Sequence, residues 1–247
     1  MALYNFFSSI YKSYQKKINY IFEFKQFQKM SKARVDLVVD WKNKQPCLND
    51  KTTTTEFDRH YVYHTAWAAR IVRDLKPKKH VDIASSLHFG TILSAFVPVE
   101  FYDYRPAILD LDNIKSLPGD LMCLPFEDNS LESVSCMHVV EHIGLGRYGD
   151  PLDPRGDLLA IEEMKRVVCK GGHLLFVTPV GIPRVMFNAH RIYSYKQIID
   201  YFVGFDLVEF SLIPDSELKG GLIRNANPEI VETQKYACGC FLFKKTL

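Results

Sequence analysis

Apolar and polar residues follow two different periods along the chain. In the segment that ends at Met30, apolar side chains recur every three or four positions, which is the period of one helix face. The residues that form this face are Phe6, Ile10, Tyr14, Ile18, Ile21 and Phe24. Neither proline nor glycine interrupts the segment, so the pattern predicts one amphipathic helix over residues 2–30.

From residue 80 onward, short apolar runs alternate with segments of helical period. The apolar runs predict strands at residues 81–83, 99–102, 134–140, 173–178, 207–213 and 237–243. Helices are predicted at residues 87–96, 158–168 and 195–202, and one more, capped by Thr55, precedes the first strand. This alternation predicts an α/β fold in which a doubly wound, mostly parallel sheet carries helices on both faces.

The two patterns predict two parts of the chain. Residues 1–50 form an N-terminal helical extension with its linker, and residues 51–247 form the α/β domain. The helix interleaves lysines with aromatic residues, which suits peripheral contact with a membrane or a partner protein. The same face would also suit packing on its own domain, and the period alone does not separate these interpretations.

Composition narrows the classes of function. The net charge of +2 lacks the basic excess of general nucleic-acid binders, so no nucleic-acid partner is expected. The six cysteines form no CxxC pair, and Cys238 and Cys240 would point the same way on a strand as core thiols. No metal site is therefore expected. The sequence shows neither a long apolar span nor an apolar leader, which predicts a cytoplasmic protein with peripheral membrane attachment left open.

Candidate chemistry lies just after the predicted strands, because open parallel sheets bind ligands beyond the carboxyl ends of their strands. The turn Ala84-Ser85-Ser86 follows the first strand, and Asp82 at the end of that strand is expected to order it. Asp103 ends the second strand, 21 positions after Asp82, and at this spacing such folds hydrogen-bond ribose hydroxyls. A carboxylate can hold a vicinal diol through two charge-assisted hydrogen bonds.

Two longer stretches resemble the signature of class I S-adenosylmethionine-dependent methyltransferases. They are "GDLMCLPFEDNSLESVSCMHVVEHI" and "AIEEMKRVVCKGGHLLFVTP", and the resemblance spans residues 81–179. The runs "EHIGLGRYGDPLDPRGD" and "HRIYS" resemble a branch of that superfamily catalogued as a domain of unknown function and often assumed to act on carbohydrates. The resemblance implies a Rossmann-like fold with a seven-stranded sheet, S-adenosylmethionine as cofactor, and methyl transfer to a small polar acceptor.

The resemblance also implies which residues hold the cofactor. Ala84 takes the place of the first glycine of the family's Gly-x-Gly loop, and glycine tolerates positive φ and close approach better than alanine does. Asp120, with Leu121 beside it, matches the family's acid near the adenine amino group. The predicted cofactor-binding set is Asp82, Ala84, Ser85, Ser86, Asp103, Tyr104, Asp120, Leu121 and His138. The alternative is a site that has lost cofactor binding and keeps only the turn.

Glu141 and His142 follow the strand predicted at residues 134–140, over the methyl-transfer position that the resemblance implies. Transfer to a hydroxyl often needs a base, and a histidine can take the proton near neutral pH. His142 is the predicted base and Glu141 a predicted contact to substrate or cofactor. The alternative is that the pair begins a helix and His142 packs structurally.

A long loop at residues 146–157 and the later segment "NAHRIYS" open toward the same position. Long loops in compact domains are often functional. The predicted substrate-binding residues are Arg147, Asp150, Arg155, His190, Arg191 and Tyr193. We expect a small-molecule or glycan acceptor; the alternative is an inactive binding module in a glycan-assembly complex.

Overall fold

The computed structural model describes residues 2–34 and 36–247, which divide into two compact units. The first unit ends at Phe57, and the second runs from Asp58 to Leu247. The first unit contains helix α1, Ala2–Met30, followed by short 3-10 turns at Ser31–Ala33 and Trp41–Asn43. The single helix predicted for residues 2–30 is therefore confirmed.

Helix α1 carries its predicted apolar face on the surface. Ile10, Tyr14, Ile18 and Ile21 are 42% to 63% exposed, whereas the Phe6 side chain lies outside the described side chains. Phe24 packs edge-on against Trp41, with ring centroids 4.8 Å apart. Within the described residues, no helix combines the length and apolar character that crossing a membrane requires. Contact of this helix with a membrane or a protein stays a prediction.

The second unit alternates strands and helices as its sequence predicts. Its helices are α2 Arg59–Leu75, α3 Leu87–Leu93, α4 Gly156–Val167 and α5 Tyr195–Tyr201. Its strands are β1 His80–Ile83, β2 Val99–Asp103, β3 Ile114–Pro118, β4 Leu131–Met137, β5 Val168–Val180, β6 Arg184–Met186, β7 His190–Ile192, β8 Phe205–Ile213 and β9 Ala237–Lys245.

Seven of the described strands form one sheet in the order β3-β2-β1-β4-β5-β9-β8, while β6 and β7 form a separate hairpin. Strands β1 to β5 pair in parallel, and β9 runs antiparallel to both of its neighbours. The predicted doubly wound, mostly parallel sheet is confirmed. Strand order reverses between β1 and β4, which is where such sheets open a crevice for ligands.

Both faces of the sheet are covered, because successive side chains of a strand point to opposite faces. In β5, Leu174 and Phe176 face a core that also contains Ile161 of α4 and Ile198 of α5. Their neighbours Leu175 and Val177 belong to the opposite core. That second core contains buried residues of α2 and α3, among them Trp67, Ile71, Phe89 and Leu93.

One helix cap was predicted wrongly, and three strands, β3, β6 and β7, were not predicted. The helix before the first strand is capped by Asp58, whose side chain accepts from the Tyr61 backbone amide at 3.1 Å, and not by Thr55. Strand β3 was missed, because it is an edge strand with one fully buried residue, Ile114, and therefore lacks an apolar run.

Candidate functional site

A cavity of about 340 Å³ opens at the carboxyl ends of β1, β2 and β4, which is within the size range of small-molecule sites. Nine residues that the sequence predicted lie in its wall. They are Ala84, Ser85, Asp103, Tyr104, Asp120, Leu121, His138, His142 and Asp150. The fold thus brings together residues that are far apart in the chain.

Asp82 orders the loop that follows β1, as the sequence predicted. Its buried carboxylate accepts from the Ser85 backbone amide at 3.0 Å and from the Ser135 hydroxyl at 2.5 Å. The Ser85 hydroxyl accepts in turn from the Met137 amide at 3.0 Å, which ties the loop to the end of β4. Burial raises the pKa of Asp82 to about 6, although the hydrogen bond from Ser135 opposes this shift.

Ala84 adopts the backbone conformation for which glycine is normally used. Its φ of +51° lies in the left-handed region, and its amide donates to the Tyr102 carbonyl at 2.7 Å. The left-handed conformation costs an alanine about 1–2 kcal/mol. With alanine in place of the family's glycine, the tight loop still forms, but its backbone is strained at Ala84.

Asp103 and Asp120 stand on the cavity wall beside this loop. One oxygen of Asp103 accepts from the Arg105 amide at 2.7 Å, and one oxygen of Asp120 accepts from the Met122 amide at 2.8 Å. Each carboxylate is thus oriented by a backbone amide two residues further on. Because an ionised carboxylate offers about four acceptor positions, both acids can also accept hydrogen bonds from a ligand.

His142 presents a neutral imidazole to the cavity. Its Nδ1 lies 2.6 Å from the Ala189 carbonyl oxygen, so Nδ1 carries the proton and Nε2 bears the lone pair. Burial lowers the pKa of His142 below its ordinary value. The Glu141 carboxylate lies 3.9 Å from Nε2. This arrangement suits a general base, because the Glu141 carboxylate can stabilise the imidazolium that forms when Nε2 takes up a proton.

Glu141 lies behind the cavity wall, in contact with His138. The carboxylate is 1% exposed, and its Oε1 is 2.8 Å from His138 Nδ1. Burial raises the pKa of Glu141 to about 7 and lowers the pKa of His138 to about 4. His138 itself has a φ of +56°, so two residues at this opening hold left-handed backbone. Such strain often marks functional sites.

The rings of His60 and His64 pack around His138, and we call these three residues the histidine cluster. Their ring centroids lie 5.3 Å and 5.1 Å from that of His138. Burial lowers the pKa of His60 to about 4 and that of His64 to about 3. Buried atoms here lack hydrogen-bond partners: His64 Nε2, His138 Nε2, Glu141 Oε2 and the nearby His190 Nε2. Each such atom typically costs about 1–3 kcal/mol, so their concentration calls for a functional explanation.

Comparison with known sequences gives partial matches. The family described as "Caenorhabditis protein of unknown function, DUF268" matches residues 126–227. A demethylmenaquinone methyltransferase of Staphylococcus aureus is 32% identical over 125 residues, which covers 44% of this chain and 47% of that protein. The chain thus spans about half the length of the curated relatives it matches.

Comparison with solved structures covers more of the chain. The N-methyltransferase NodS from Bradyrhizobium japonicum, solved with S-adenosylhomocysteine, aligns over 82% of this chain and 93% of its own. The TM-score is 0.53 at 13% identity. The chain has the class I methyltransferase fold. The YcgJ protein of Bacillus subtilis, aligned over 75% of this chain and 99% of its own, has a TM-score of 0.52 at 14% identity.

Within this methyltransferase fold, two predicted substrate residues lie beneath the loop and not on the cavity wall. Arg191 is 6% exposed, donates to the Ile143 carbonyl at 2.6 Å and lies 3.5 Å from the Asp157 carboxylate. Tyr193 is 3% exposed and donates to the same carboxylate at 2.9 Å. Because both side chains are committed to these internal partners, they anchor the loop, and neither lines the cavity.

The other predicted loop residues also organise the backbone. Asp150 accepts from the amides of Gly144, Tyr148 and Gly146 at 2.7, 3.2 and 3.3 Å. Burial opposes ionisation of Asp150, but these amides outweigh it and lower the pKa. Arg147 donates to the Ala189 carbonyl at 3.1 Å, outside the cavity wall.

Three further predicted residues lie away from the cavity wall. Arg155 and Ser86 directly precede α4 and α3, and neither caps its helix through the side chain. His190 lies in the hairpin strand β7, with its ring centroid 4.8 Å from that of Tyr236. The predicted substrate set thus contributes Asp150 alone to the wall.

The predicted site residues did not include Tyr61, Arg105 or Tyr148. All three line the cavity, and the Arg105 guanidinium lies 4.9 Å from the centre of the Tyr148 ring. This contact joins the end of β2 to the long loop across the opening. Tyr148 lies in the run "EHIGLGRYGDPLDPRGD", but no sequence pattern pairs it with Arg105, so the pairing follows from the fold alone.

Proposed function

We propose that this protein is an S-adenosylmethionine-dependent methyltransferase that acts on a hydroxyl of a small polar acceptor, such as a sugar or a glycan precursor. The observation that carries the proposal is the shared cavity. The left-handed Ala84 loop, the acids Asp103 and Asp120, and the neutral His142 line one space. The likeness to a demethylmenaquinone methyltransferase and the fold shared with NodS support the reaction class.

The residues present fit the cofactor. The backbone of Ala84 and Ser85 keeps the tight turn that a methionine portion needs, because Ala84 accepts the positive φ. Asp103 would hold the ribose hydroxyls through its carboxylate. Asp120 would accept from the adenine amino group, and the buried Leu121 offers apolar surface to the base.

The bound cofactor would supply an electrophilic methyl group on its sulfonium. During transfer of that methyl group to an acceptor hydroxyl, His142 Nε2 would take up the hydroxyl proton. The nearby Glu141 carboxylate, 3.9 Å away, would stabilise the resulting imidazolium. General-base catalysis of this kind typically contributes about 10²–10⁴-fold in rate.

The acceptor side of the cavity favours a polar substrate. His142 presents an imidazole there, and Tyr61 and Tyr148 add phenol rings. These groups can exchange hydrogen bonds with several hydroxyls. The loop carboxylate of Asp150 keeps the backbone around Tyr148 in place, so the wall is pre-organised for such an acceptor.

The proposal is tested by measuring S-adenosylhomocysteine binding to the full chain by calorimetry. Asp103→Ala should weaken binding by about 1.5–3 kcal/mol, or roughly 10- to 150-fold, since hydrogen bonds to a charged group are worth that much. Asp110→Ala is the matched control, because Asp110 is exposed and lies outside the cavity wall. If the wild-type chain fails to bind at millimolar ligand, the proposal is wrong. Tight binding without methyl transfer to any hydroxyl acceptor would instead favour the non-catalytic binding module.

A further inference from the structure

A set of metal-ligating side chains lies beside the proposed acceptor space. His60, His138 and Cys238 each offer a ligand atom, and these three atoms lie within 4.8 Å of one another. They come from the first turn of α2, the end of β4 and strand β9. The proposed methyl transfer uses neither His60 nor Cys238.

His138 has the hydrogen-bond arrangement of a metal-bound histidine. Its Nδ1 is 2.8 Å from the Glu141 carboxylate, and its side chain is 4% exposed. Its Nε2 is buried without a hydrogen-bond partner. Metal-ligating histidines almost always place their other ring nitrogen against a carboxylate, carbonyl or water, which fixes the tautomer. The carboxylate here leaves the Nε2 lone pair for a ligand.

His64 carries another unused lone pair beside this set, although its own atoms lie outside the group of three ligand atoms. Its Nδ1 lies 2.6 Å from the His60 carbonyl, so the proton sits on Nδ1. Its Nε2 is likewise buried without a partner, and the side chain is 0% exposed. Two adjacent buried imidazoles with unused lone pairs are costly unless something binds them.

We propose that His60, His138 and Cys238 form a three-ligand site for a divalent transition metal, with Zn²⁺ the best fit. Two imidazoles and one thiolate suit zinc, whereas calcium and magnesium prefer oxygen ligands. Ligand bonds of about 2.0–2.3 Å place tetrahedral ligand atoms about 3.3–3.8 Å apart. The observed 4.8 Å limit and the nearly parallel rings of His60 and His138 therefore require His60 to move inward and to rotate, which its half-buried side chain can supply.

A site with three protein ligands keeps a coordination position open, as catalytic zinc sites do. His138 lines the cavity, so the metal would lie next to the acceptor space. The open position would take an oxygen or sulfur ligand such as water or an acceptor hydroxyl. Binding requires that the Cys238 thiol release its proton to solvent, because a coordinating thiol is deprotonated.

The site is tested with the metal-free full chain and Co²⁺ as the probe, because cobalt bound to a thiolate gives a charge-transfer absorption in the near ultraviolet. We expect one equivalent to bind with this band, and Zn²⁺ to displace it. Cys238→Ser should remove the band. Cys240→Ser should keep it, because Cys240 Sγ lies on the same strand 3.9 Å from Cys238 Sγ but outside the ligand set.

Two more variants separate ligation from packing. His60→Asn changes a half-buried position and should weaken Co²⁺ binding while circular dichroism shows a folded chain. Glu141→Gln should weaken affinity about 10- to 100-fold, the usual effect of a partner that orients a ligand. A wild-type chain that binds no stoichiometric Co²⁺, or a band that persists in Cys238→Ser, overturns the proposal. The Co²⁺ titration uses neither the cofactor nor an acceptor. Its outcome is therefore independent of whether the proposed methyl transfer occurs.

Discussion

Two buried polar groups that contain histidine differ in how completely their nitrogen and oxygen atoms are hydrogen-bonded. Between β1 and β4, His80 Nδ1 lies 2.8 Å from the Ser133 hydroxyl, and Nε2 lies 2.9 Å from the Ser135 hydroxyl. Ser135 donates onward to the Asp82 carboxylate. In the histidine cluster at the end of β4, His64 Nε2 and His138 Nε2 have no partner.

In the group around His80, the hydrogen-bond partners determine which ring nitrogen carries the proton. Because Ser135 gives its proton to Asp82, it must accept from His80 Nε2, and His80 Nδ1 then accepts from Ser133. Every side-chain nitrogen and oxygen in this chain of contacts has a partner, so the group can act as pure structure. Burial lowers the pKa of His80 to about 3, consistent with a neutral ring.

The difference shows how buried histidines in one fold can serve different purposes. Buried polar groups that are fully hydrogen-bonded stabilise a unique core. Buried polar groups without partners destabilise the protein, and a ligand that binds them can remove this destabilisation. Among the described histidines, the buried nitrogens without a partner belong to His64, His138 and His190, whereas both ring nitrogens of His80 have partners. We therefore place structure in the His80 group and ligand chemistry at the end of β4.

The largest effect expected from this contrast is on catalysis. His142→Ala should lower kcat about 10²–10⁴-fold, since it removes the proposed base. It should leave S-adenosylhomocysteine affinity nearly unchanged, because His142 faces the acceptor side. Activity assays and calorimetry on the same preparation measure both.

His88→Ala is the control for this change, because His88 is exposed on α3 outside the cavity wall. An unchanged kcat in His142→Ala would mean that the imidazole is structural, which is the alternative left open by the sequence.

A second pair of variants tests the contrast by stability. Ser135→Ala leaves a His80 N–H and an Asp82 oxygen without their partner, which should lower the free energy of unfolding by about 2–3 kcal/mol. His64→Leu removes the unsatisfied Nε2 together with the Nδ1 hydrogen bond to the His60 carbonyl, so the gain and the loss should nearly cancel and stability should change by less than about 1 kcal/mol. Urea unfolding at neutral pH measures both values. Equal losses would show that the His64 position is as structural as the His80 group.

Much of the fold follows from the sequence because its long strands are buried on both faces and read as apolar runs. β5 shows this, with Leu174, Leu175 and Phe176 all fully buried. β3 could not be predicted this way, because an edge strand needs little apolar surface. Helix ends were less certain, since Thr55 and Asp58 are both acceptable caps and tertiary packing selects between them.

The candidate site was predictable where one rule governs it, namely that ligands bind at the carboxyl ends of parallel strands. Asp103 follows from that rule, whereas Asp120 follows from the family resemblance, because the strand before it was not predicted. The histidine cluster follows from neither, since its rings reach His138 from α2, far away in the chain. Arg191 and Tyr193 look like surface ligands in the sequence, but their burial depends on Asp157, a partner that no local pattern reveals.

The smallest expected effect concerns Ala84, which joins the two sides of the contrast because its loop is ordered by Asp82 and opens on the cavity. Ala84→Gly relieves the left-handed strain but makes the unfolded chain more flexible, and these terms of about 1 kcal/mol nearly cancel. Stability should therefore change by less than about 1 kcal/mol, and S-adenosylhomocysteine affinity should be kept or improved. Ala107→Gly, at a position without positive φ, provides the control and should lose about 0.4–1 kcal/mol. A large loss of affinity in Ala84→Gly would show that the alanine methyl group contacts the ligand and that the loop is shaped for a different molecule.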